Sequence, residues 1–436
     1  MLGLCFRTKK LSGSVKVSGS KNAALPILAA TLLTDEKCVI RNVPDLEDVR
    51  IMFALLRKMG KKIKFEKNTA EVKGSLRSGV LAEKLVRKLR ASVLVMGPVL
   101  SRLGEGSFAL PGGCALGERP IDLHLKGLKA MGALYSVLRG RMIFRRRKLS
   151  GANIKLSFSS VGATENLLMA ASCVPGVTII ENAAVEPEIM DLCCFLKAMG
   201  VRIRKKGTTL SVEGSSSLGG ADFTVMPDRI EAGTFLLAAA SIGGKVRVEG
   251  LDLSHLKALI TKLKASGAKI RANKNSLVIT APGKPVPVDI ITGPYPGFPT
   301  DLQPLWAVYM MNAAGRSRVN DKIFPSRFMY VDELKRLGAA MVLKKGVLII
   351  NKSVLSGTNL RACDLRAAAA MIIAGLRAEG ETRVYELKHL FRGYENFFGK
   401  LRKLGANVSM EKMKVRRRMP VRARESLKRP ARRRKK

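Results

Sequence analysis

Six times along the chain a helical stretch with a basic end runs into a glycine. The endings are Arg57-Lys58-Met59-Gly60, Lys129-Ala130-Met131-Gly132, Lys197-Ala198-Met199-Gly200, Lys264-Ala265-Ser266-Gly267, Lys335-Arg336-Leu337-Gly338 and Arg402-Lys403-Leu404-Gly405, and their glycines lie 72, 68, 67, 71 and 67 residues apart. A period near 70 residues constrains architecture more than any local motif, because each copy must build the same unit. Each ending has a physical reading: basic residues suit the negative end of a helix dipole, and glycine takes the left-handed cap. Ahead of Gly60, Leu46, Val49, Phe53, Leu56 and Met59 fall on one helical face. Behind it Ile63 and Phe65 alternate with Lys62, Lys64 and Glu66, as in a half-exposed strand. The unit reads as strand, helix, strand.

A second, Ala-rich helix recurs in each unit, at 23–33, 91–103, 163–173, 232–242, 302–313 and 367–376. Helices apolar on nearly every face belong inside a domain. With 436 residues, the chain predicts an α/β protein of two domains, three units each, sheets outside and helices within.

The starts of those inner helices are not apolar. They read Lys21-Asn22, Arg90, Ser160-Val161-Gly162, Asp228-Arg229, Thr300-Asp301 and Asp364-Leu365-Arg366. Free N–H groups and the dipole already favour an anion at a helix start, and added cations strengthen that preference. Ordinary capping accounts for Asp364 but not for Lys21 or Arg90. Two further arginines, Arg119 and Arg392, each stand 13 residues before their unit's glycine, as paired anion clamps would.

Between them lies the most unusual stretch, Leu110-Pro111-Gly112-Gly113-Cys114-Ala115-Leu116-Gly117-Glu118-Arg119-Pro120-Ile121-Asp122-Leu123-His124. A thiol among glycines reads as a reactive lid hinged at Gly112, Gly113 and Gly117, or as a glycine-rich turn around an inert buried cysteine.

Bulk properties narrow the classes. Seven cysteines without a C-x-x-C pair argue against a disulfide scaffold, and three histidines without ligand spacing argue against a metal site. No apolar run is long enough to span a bilayer, and the first residues lack a signal-peptide core, so a soluble cytoplasmic protein without membrane insertion is expected. The formal charge is +44. The segment from Ser409 to Lys436 carries 14 Lys/Arg against 2 Asp/Glu, which leaves about +32 on the body, so the whole chain favours anionic partners. The tail reads as a disordered extension, and nucleic-acid binding is expected only through it.

Several segments together resemble one family. They are Ser18-Gly19-Ser20-Lys21-Asn22-Ala23-Ala24-Leu25-Pro26, the Pro-Gly-Gly-Cys loop with Arg119-Pro120-Ile121-Asp122-Leu123-His124, Ser160-Val161-Gly162-Ala163-Thr164, Glu181-Asn182-Ala183-Ala184 with Glu186-Pro187-Glu188, Phe298-Pro299-Thr300-Asp301, Asp364-Leu365-Arg366-Ala367 and Arg392-Gly393-Tyr394-Glu395. From about residue 7 to 410 the chain is similar to the UDP-N-acetylglucosamine 1-carboxyvinyltransferases among the enolpyruvyl transferases. The resemblance implies a two-domain inside-out α/β barrel of six repeated units. Residues 1–20 with 228–410 would form one domain, 21–227 the other with the Cys114 lid, and 411–436 the basic tail.

The resemblance also implies substrates and roles. The substrates would be phosphoenolpyruvate and UDP-N-acetylglucosamine, in the first committed step of peptidoglycan synthesis, with no cofactor and no metal. Lys21, Asn22, Arg119, Arg366 and Arg392 would hold phosphoenolpyruvate. Arg90, Arg119, Pro120, Ile121, Asp122, Leu123, Ser160, Val161, Gly162, Asp301 and Ile323 would hold the nucleotide sugar. Cys114 would protonate C3 and could form an adduct at C2, Asp301 would take the hydroxyl proton or its equivalent in the elimination step, and Lys21, Asn22 and Arg392 would complete the catalytic set. Arg327 and Glu188 would support them from behind, and fosfomycin would alkylate Cys114.

Three residues depart from the family's pattern. Phe391 stands where an aspartate precedes the arginine, Tyr295 replaces a histidine, and Phe158 replaces a lysine. The alternatives are the related 3-phosphoshikimate 1-carboxyvinyltransferases, which lack the Pro-Gly-Gly-Cys lid, and a lapsed or RNA-binding protein of the same repeat.

Overall fold

The six glycines behave as the periodicity predicts. In the computed structural model, which describes residues 1–109 and 121–411, Gly60, Gly132, Gly200, Gly267, Gly338 and Gly405 all have left-handed φ, between 87 and 113°. They end the helices Glu47–Lys58, Asp122–Ala130, Pro187–Ala198, Lys257–Ala265, Tyr330–Arg336 and Phe397–Lys403. Cys114, Arg119, Pro120 and the glycines Gly112, Gly113 and Gly117 lie outside the described residues, as does the chain beyond Glu411. Glu411 itself ends the strand Val408–Glu411, so it belongs to the folded body rather than to the tail.

The inner helices are Lys21–Ala30, Met96–Leu103, Val161–Ala171, Arg229–Ile242, Gln303–Met310 and Leu365–Gly375. Every residue from Arg229 to Ser241 is buried, as a helix apolar on nearly every face requires. Two inner helices open with 3-10 turns, Arg90–Val95 and Thr300–Leu302. Pro98 and Pro304 lack the N–H that would bond back to Leu94 and Thr300, so each proline is confined to the first turn of the α-helix that follows.

The unit is longer than strand, helix, strand. After Val161–Ala171 come a strand, Val177–Glu181, the helix Pro187–Ala198, and a hairpin of Arg202–Lys206 with Thr209–Glu213. The three strands form one sheet with Asn153–Lys155 running parallel to Val177–Glu181. Among the described residues there are five such four-stranded sheets. A sixth has three strands, Glu105–Ala109, Arg141–Arg146 and Ala133–Leu138, with its parallel neighbour reduced to a single bridge from Val80 to Ser107. The last sheet is completed by the first strand of the chain, since Leu2–Phe6 lies between Glu381–Tyr385 and Val408–Glu411.

Two hydrophobic clusters result. One takes Cys5, Leu11, Val15 and Val17 and then Ile230 to Val408; the other runs from Ala23 to Met226. The chain passes between them twice, side by side. Gly19 bridges Pro227, the Ser20 N–H donates to the Met226 carbonyl at 2.8 Å, and the Asp228 N–H to the Ser18 carbonyl at 2.9 Å. A side chain at Gly19 would put its Cβ 1.7 Å from the Asn42 carbonyl oxygen, so only glycine fits this crossing. Beside it Glu231 accepts from the Ser18 N–H and from the Lys400 ammonium, both at 2.6 Å.

Candidate active site

The crossing brings inner-helix starts of both clusters together. Asp228 caps Arg229–Ile242 by accepting from the N–H groups of Ile230 (2.8 Å) and Glu231 (2.9 Å), and its other oxygen accepts from the Lys21 N–H at 3.4 Å. Lys21 and Asn22 are both half-buried on the first turn of Lys21–Ala30. The Lys21 ammonium lies 3.3 Å from Asp48, and the other oxygen of Asp48 receives the Arg392 Nε–H at 2.8 Å. Sequence reasoning missed Asp48. It stands beside Glu47 in the first turn of Glu47–Lys58, where acids serve the helix dipole, so nothing local marks it as a partner for residues elsewhere.

A second group surrounds Asp301. Its carboxylate accepts from Arg327 at 2.7 Å and from Arg366 at 2.9 Å, with both arginine side chains almost fully buried. Burial alone would raise the Asp301 pKa, but the guanidiniums of Arg366 and Arg327 outweigh it and hold the carboxyl well below the usual range. Arg366 also lies over the Tyr394 ring, 5.1 Å from its centroid, and its Nη1 is buried with no hydrogen-bond partner among the described residues. A buried guanidinium normally has all its donors satisfied, so an orphan N–H group here favours an anion. Ile323 sits on a loop fixed by Asp321, which accepts from the N–H groups of Ile323 (3.0 Å) and Phe324 (2.9 Å) and from Thr300 Oγ1 (2.6 Å).

The third group lies wholly in the 21–227 cluster. The helix Val161–Ala171 packs against both the turn Arg90–Val95 and the helix Asp122–Ala130, the three elements at whose starts Arg90, Asp122 and Val161 stand. Asn166 ties them together. Its Oδ1 accepts from the Gly97 N–H at 2.6 Å, which fixes the amide orientation, so its Nδ2 donates to the Val93 carbonyl (2.9 Å) and to His124 Nδ1 (3.0 Å). Burial and then the Arg90 charge push His124 down to about 4, so the ring is neutral near pH 7 with its proton on Nε2. A Cβ at Gly162 would meet the His124 ring at 3.3 Å, and this close approach seats the two helices.

Glu188 pairs with the buried Arg229 at 2.9 Å. Tyr295 lies against that arginine, 5.8 Å from ring centroid to guanidinium, and its N–H donates to Glu186 at 3.3 Å. Phe391 packs on the first cluster, and Arg392 pairs with Asp48 on another element. Phe158 is exposed. Among the described residues no three His, Cys, Asp or Glu groups are placed to hold a metal ion, and no helix is long and apolar enough to cross a membrane.

The family of EPSP synthase (3-phosphoshikimate 1-carboxyvinyltransferase) matches residues 6–425. The chain belongs to this family. The match continues past residue 410, where the resemblance was expected to end. Family relatives named UDP-N-acetylglucosamine 1-carboxyvinyltransferase 1 are 45% identical in Caldanaerobacter subterraneus subsp. tengcongensis, over 92% of this chain and 97% of the relative, and 46% identical in Carboxydothermus hydrogenoformans, over 91% and 95%. A UDP-N-acetylglucosamine 1-carboxyvinyltransferase of Chlorobium limicola is 45% identical over 93% of this chain and 97% of its own length. In three dimensions the family fold is shared with the enolpyruvyl transferase NikO from Streptomyces tendae, with a TM-score of 0.86 at 24% identity over 94% of this chain and 98% of that one. EPSP synthase from Acinetobacter baumannii gives 0.75 at 18% identity over 94% and 100%.

Proposed function

We propose that the chain transfers the enolpyruvyl group of phosphoenolpyruvate to the 3-hydroxyl of UDP-N-acetylglucosamine and releases phosphate, in the first committed step of peptidoglycan synthesis. The observation that carries this reading is the buried Arg366, with an orphan N–H group and a carboxylate partner in Asp301, beside the Lys21 and Arg392 pair. Within the family, the acceptor follows from the relatives' names and from the Pro-Gly-Gly-Cys segment, which the 3-phosphoshikimate enzymes lack.

The domains are residues 1–20 with 228–410 and residues 21–227, each built on one of the two hydrophobic clusters. Lys21, Arg119, Arg366 and Arg392 hold the phosphate and carboxylate of phosphoenolpyruvate, and Asn22 orients the intermediate. The nucleotide sugar lies along Arg90, Arg119 to Leu123, Ser160 to Gly162 and Ile323. In the addition step the sugar O3 bonds to C2, the Cys114 thiol gives its proton to C3, and Asp301 accepts the hydroxyl proton. In the elimination step the C2–O bond to phosphate breaks and C3 returns a proton to the Cys114 thiolate, while the proton on Asp301 leaves with phosphate.

An ion-paired Asp301 is a weak base. Phosphoenolpyruvate makes it a stronger one, because the substrate's anionic groups share Arg366 and weaken that arginine's hold on the carboxylate. Base strength at Asp301 therefore rises only when the donor is bound. Activity is cytoplasmic and supports cell shape and division, and fosfomycin inhibits it by alkylating Cys114.

Phosphate release from phosphoenolpyruvate tests the reading, with and without UDP-N-acetylglucosamine, in the wild type and in Cys114→Ala. Release that requires the nucleotide sugar and falls at least a hundredfold in the variant is expected, on the order of what a positioned acid contributes. Equal release without the sugar would overturn the assignment.

A further inference from the structure

The repeat supplies its own comparison at the sheet edges. In every unit the strand that follows the glycine cap lies at the end of its sheet: Lys62–Glu66, Ala133–Leu138, Arg202–Lys206, Lys269–Asn273, Met341–Lys344 and Val408–Glu411. An open edge invites a foreign strand, and charged side chains along it are the usual defence. Five of the six carry charge, from the four basic residues of Arg202–Lys206 to the single Lys344 or Glu411. Ala133–Leu138 carries none. Its Leu134, Tyr135, Val137 and Leu138 are 40, 44, 57 and 58% exposed, so this edge is apolar on both faces of the sheet. The register on Arg141–Arg146 sorts them: Leu134, Ser136 and Leu138 lie opposite Arg145, Ile143 and Arg141 on the outer face, and Tyr135 and Val137 lie opposite the buried Phe144 and Met142 on the inner one. The hairpin turns on Arg139 and Gly140, both with left-handed φ, so Leu138 and Arg141 close it as a hydrogen-bonded pair. Pairs alternate along an antiparallel ladder, which points the N–H and C=O groups of Tyr135 and Val137 away from the sheet, and no strand among the described residues lies there to meet them.

Around this uncharged edge the charge is one-sided. Arg139, Arg145, Arg147 and Lys148 are exposed and form no ion pair among the described residues, and the sheet's one carboxylate, Glu105, lies on the far strand. An added strand would run about 5 Å from Ala133–Leu138 and about 10 Å from Arg145, a gap that an arginine and a glutamate side chain span together. The chain's own segments outside the described residues make poor partner strands: 110–120 holds two prolines and three glycines, and the chain after 411 is strongly basic. A second copy would bring the same cations edge to edge.

We propose that Ala133–Leu138 is a docking edge for an extended acidic segment of a partner protein, which adds as an antiparallel fourth strand with apolar residues beside Tyr135 and Val137 and carboxylates on the outer face, in reach of Arg145 and Arg139. In that arrangement the residues whose N–H groups bond to the edge are the apolar ones, because they sit in hydrogen-bonded pairs with Tyr135 and Val137, while the N–H groups of the acidic residues face solvent.

The test is fluorescence anisotropy of a labelled peptide of alternating valine and glutamate, about ten residues long, titrated with the full chain in three forms: unmodified, N-methylated at two central valines, and N-methylated at two central glutamates. Micromolar binding is expected for the unmodified peptide. Methylation at the valines should weaken it about tenfold or more, since two hydrogen bonds are lost, and methylation at the glutamates should leave it within about threefold, whereas attraction by charge alone treats the two alike. Leu134→Glu combined with Leu138→Glu sets carboxylates against the peptide's own and should also cost about tenfold or more, with the melting temperature reporting whether this variant is folded. If it is not, slowed hydrogen exchange at residues 133–138 of the wild type on adding the peptide takes its place. Equal binding of the two methylated peptides, no binding of the unmodified one up to about 1 mM, or a dimer in sedimentation that the double substitution disperses would overturn the proposal, the last by making a second copy the occupant.

Discussion

Replacing Asp301 by asparagine should destabilise one half of the molecule selectively. Asp301 is the shared counter-charge of Arg327 and Arg366, whose side chains are 4% and 2% exposed. Removing one partner of a buried ion pair costs about 3–5 kcal/mol, because the remaining charge is left without compensation. Asp301's own side chain is 25% exposed, so water partly replaces the lost partner and the lower figure, about 3 kcal/mol, applies. With a urea m-value of roughly 2–3 kcal/mol/M, the midpoint should fall by about 1–1.5 M.

The reporter is already present. Trp306 is the chain's one tryptophan, it is fully buried, and it lies on the helix Gln303–Met310 directly after Asp301, within the first cluster. Its fluorescence therefore follows that cluster alone. A midpoint shift below about 0.3 M at unchanged slope would refute the view that Asp301 compensates two buried cations.

Two other outcomes follow from local geometry. Burial raises the Asp191 pKa to about 7 against the opposing hydrogen bond from the Met226 N–H, and this lies above the ordinary aspartate value, so its stabilising contribution is full below about pH 4 and is lost as pH rises through 7. Asp191→Asn should gain stability on the wild type between pH 5 and pH 8, by at most about 3 kcal/mol, in urea unfolding followed by circular dichroism; equal differences at the two pH values would rule this out. Gly132→Ala should cost more than Gly200→Ala, although both have left-handed φ, because the added Cβ meets the Lys148 carbonyl oxygen at 2.2 Å in the first and nothing within 4 Å in the second. About 1–2 kcal/mol is expected for Gly200→Ala and clearly more for Gly132→Ala in thermal melts, and equal losses would mean that the contact relaxes freely.

Six helix ends, their glycine caps and the apolar inner helices were legible because each depends on hydrogen bonds and side-chain spacing within a few turns. Gly60 and Gly405 both have left-handed φ for the same local reason. The polar helix starts were legible too, since Lys21 and Arg90 make poor caps wherever the chain goes. The partnerships were hidden. Asp48 looks like any acid at a helix start until Arg392 is brought to it from 344 residues away, and Arg366 looks like an N-terminal cation until Asp301 takes one edge of its fork and leaves Nη1 without a partner among the described residues. The closing of the last sheet by Leu2–Phe6 has no signature in either strand. Sequence alone determined the repeating unit and the anion-favouring character of its helix starts, because those are set by short-range backbone chemistry. Only the tertiary structure decided which charges share a carboxylate, because ion pairing depends on distances of a few ångströms between segments that the chain order leaves far apart.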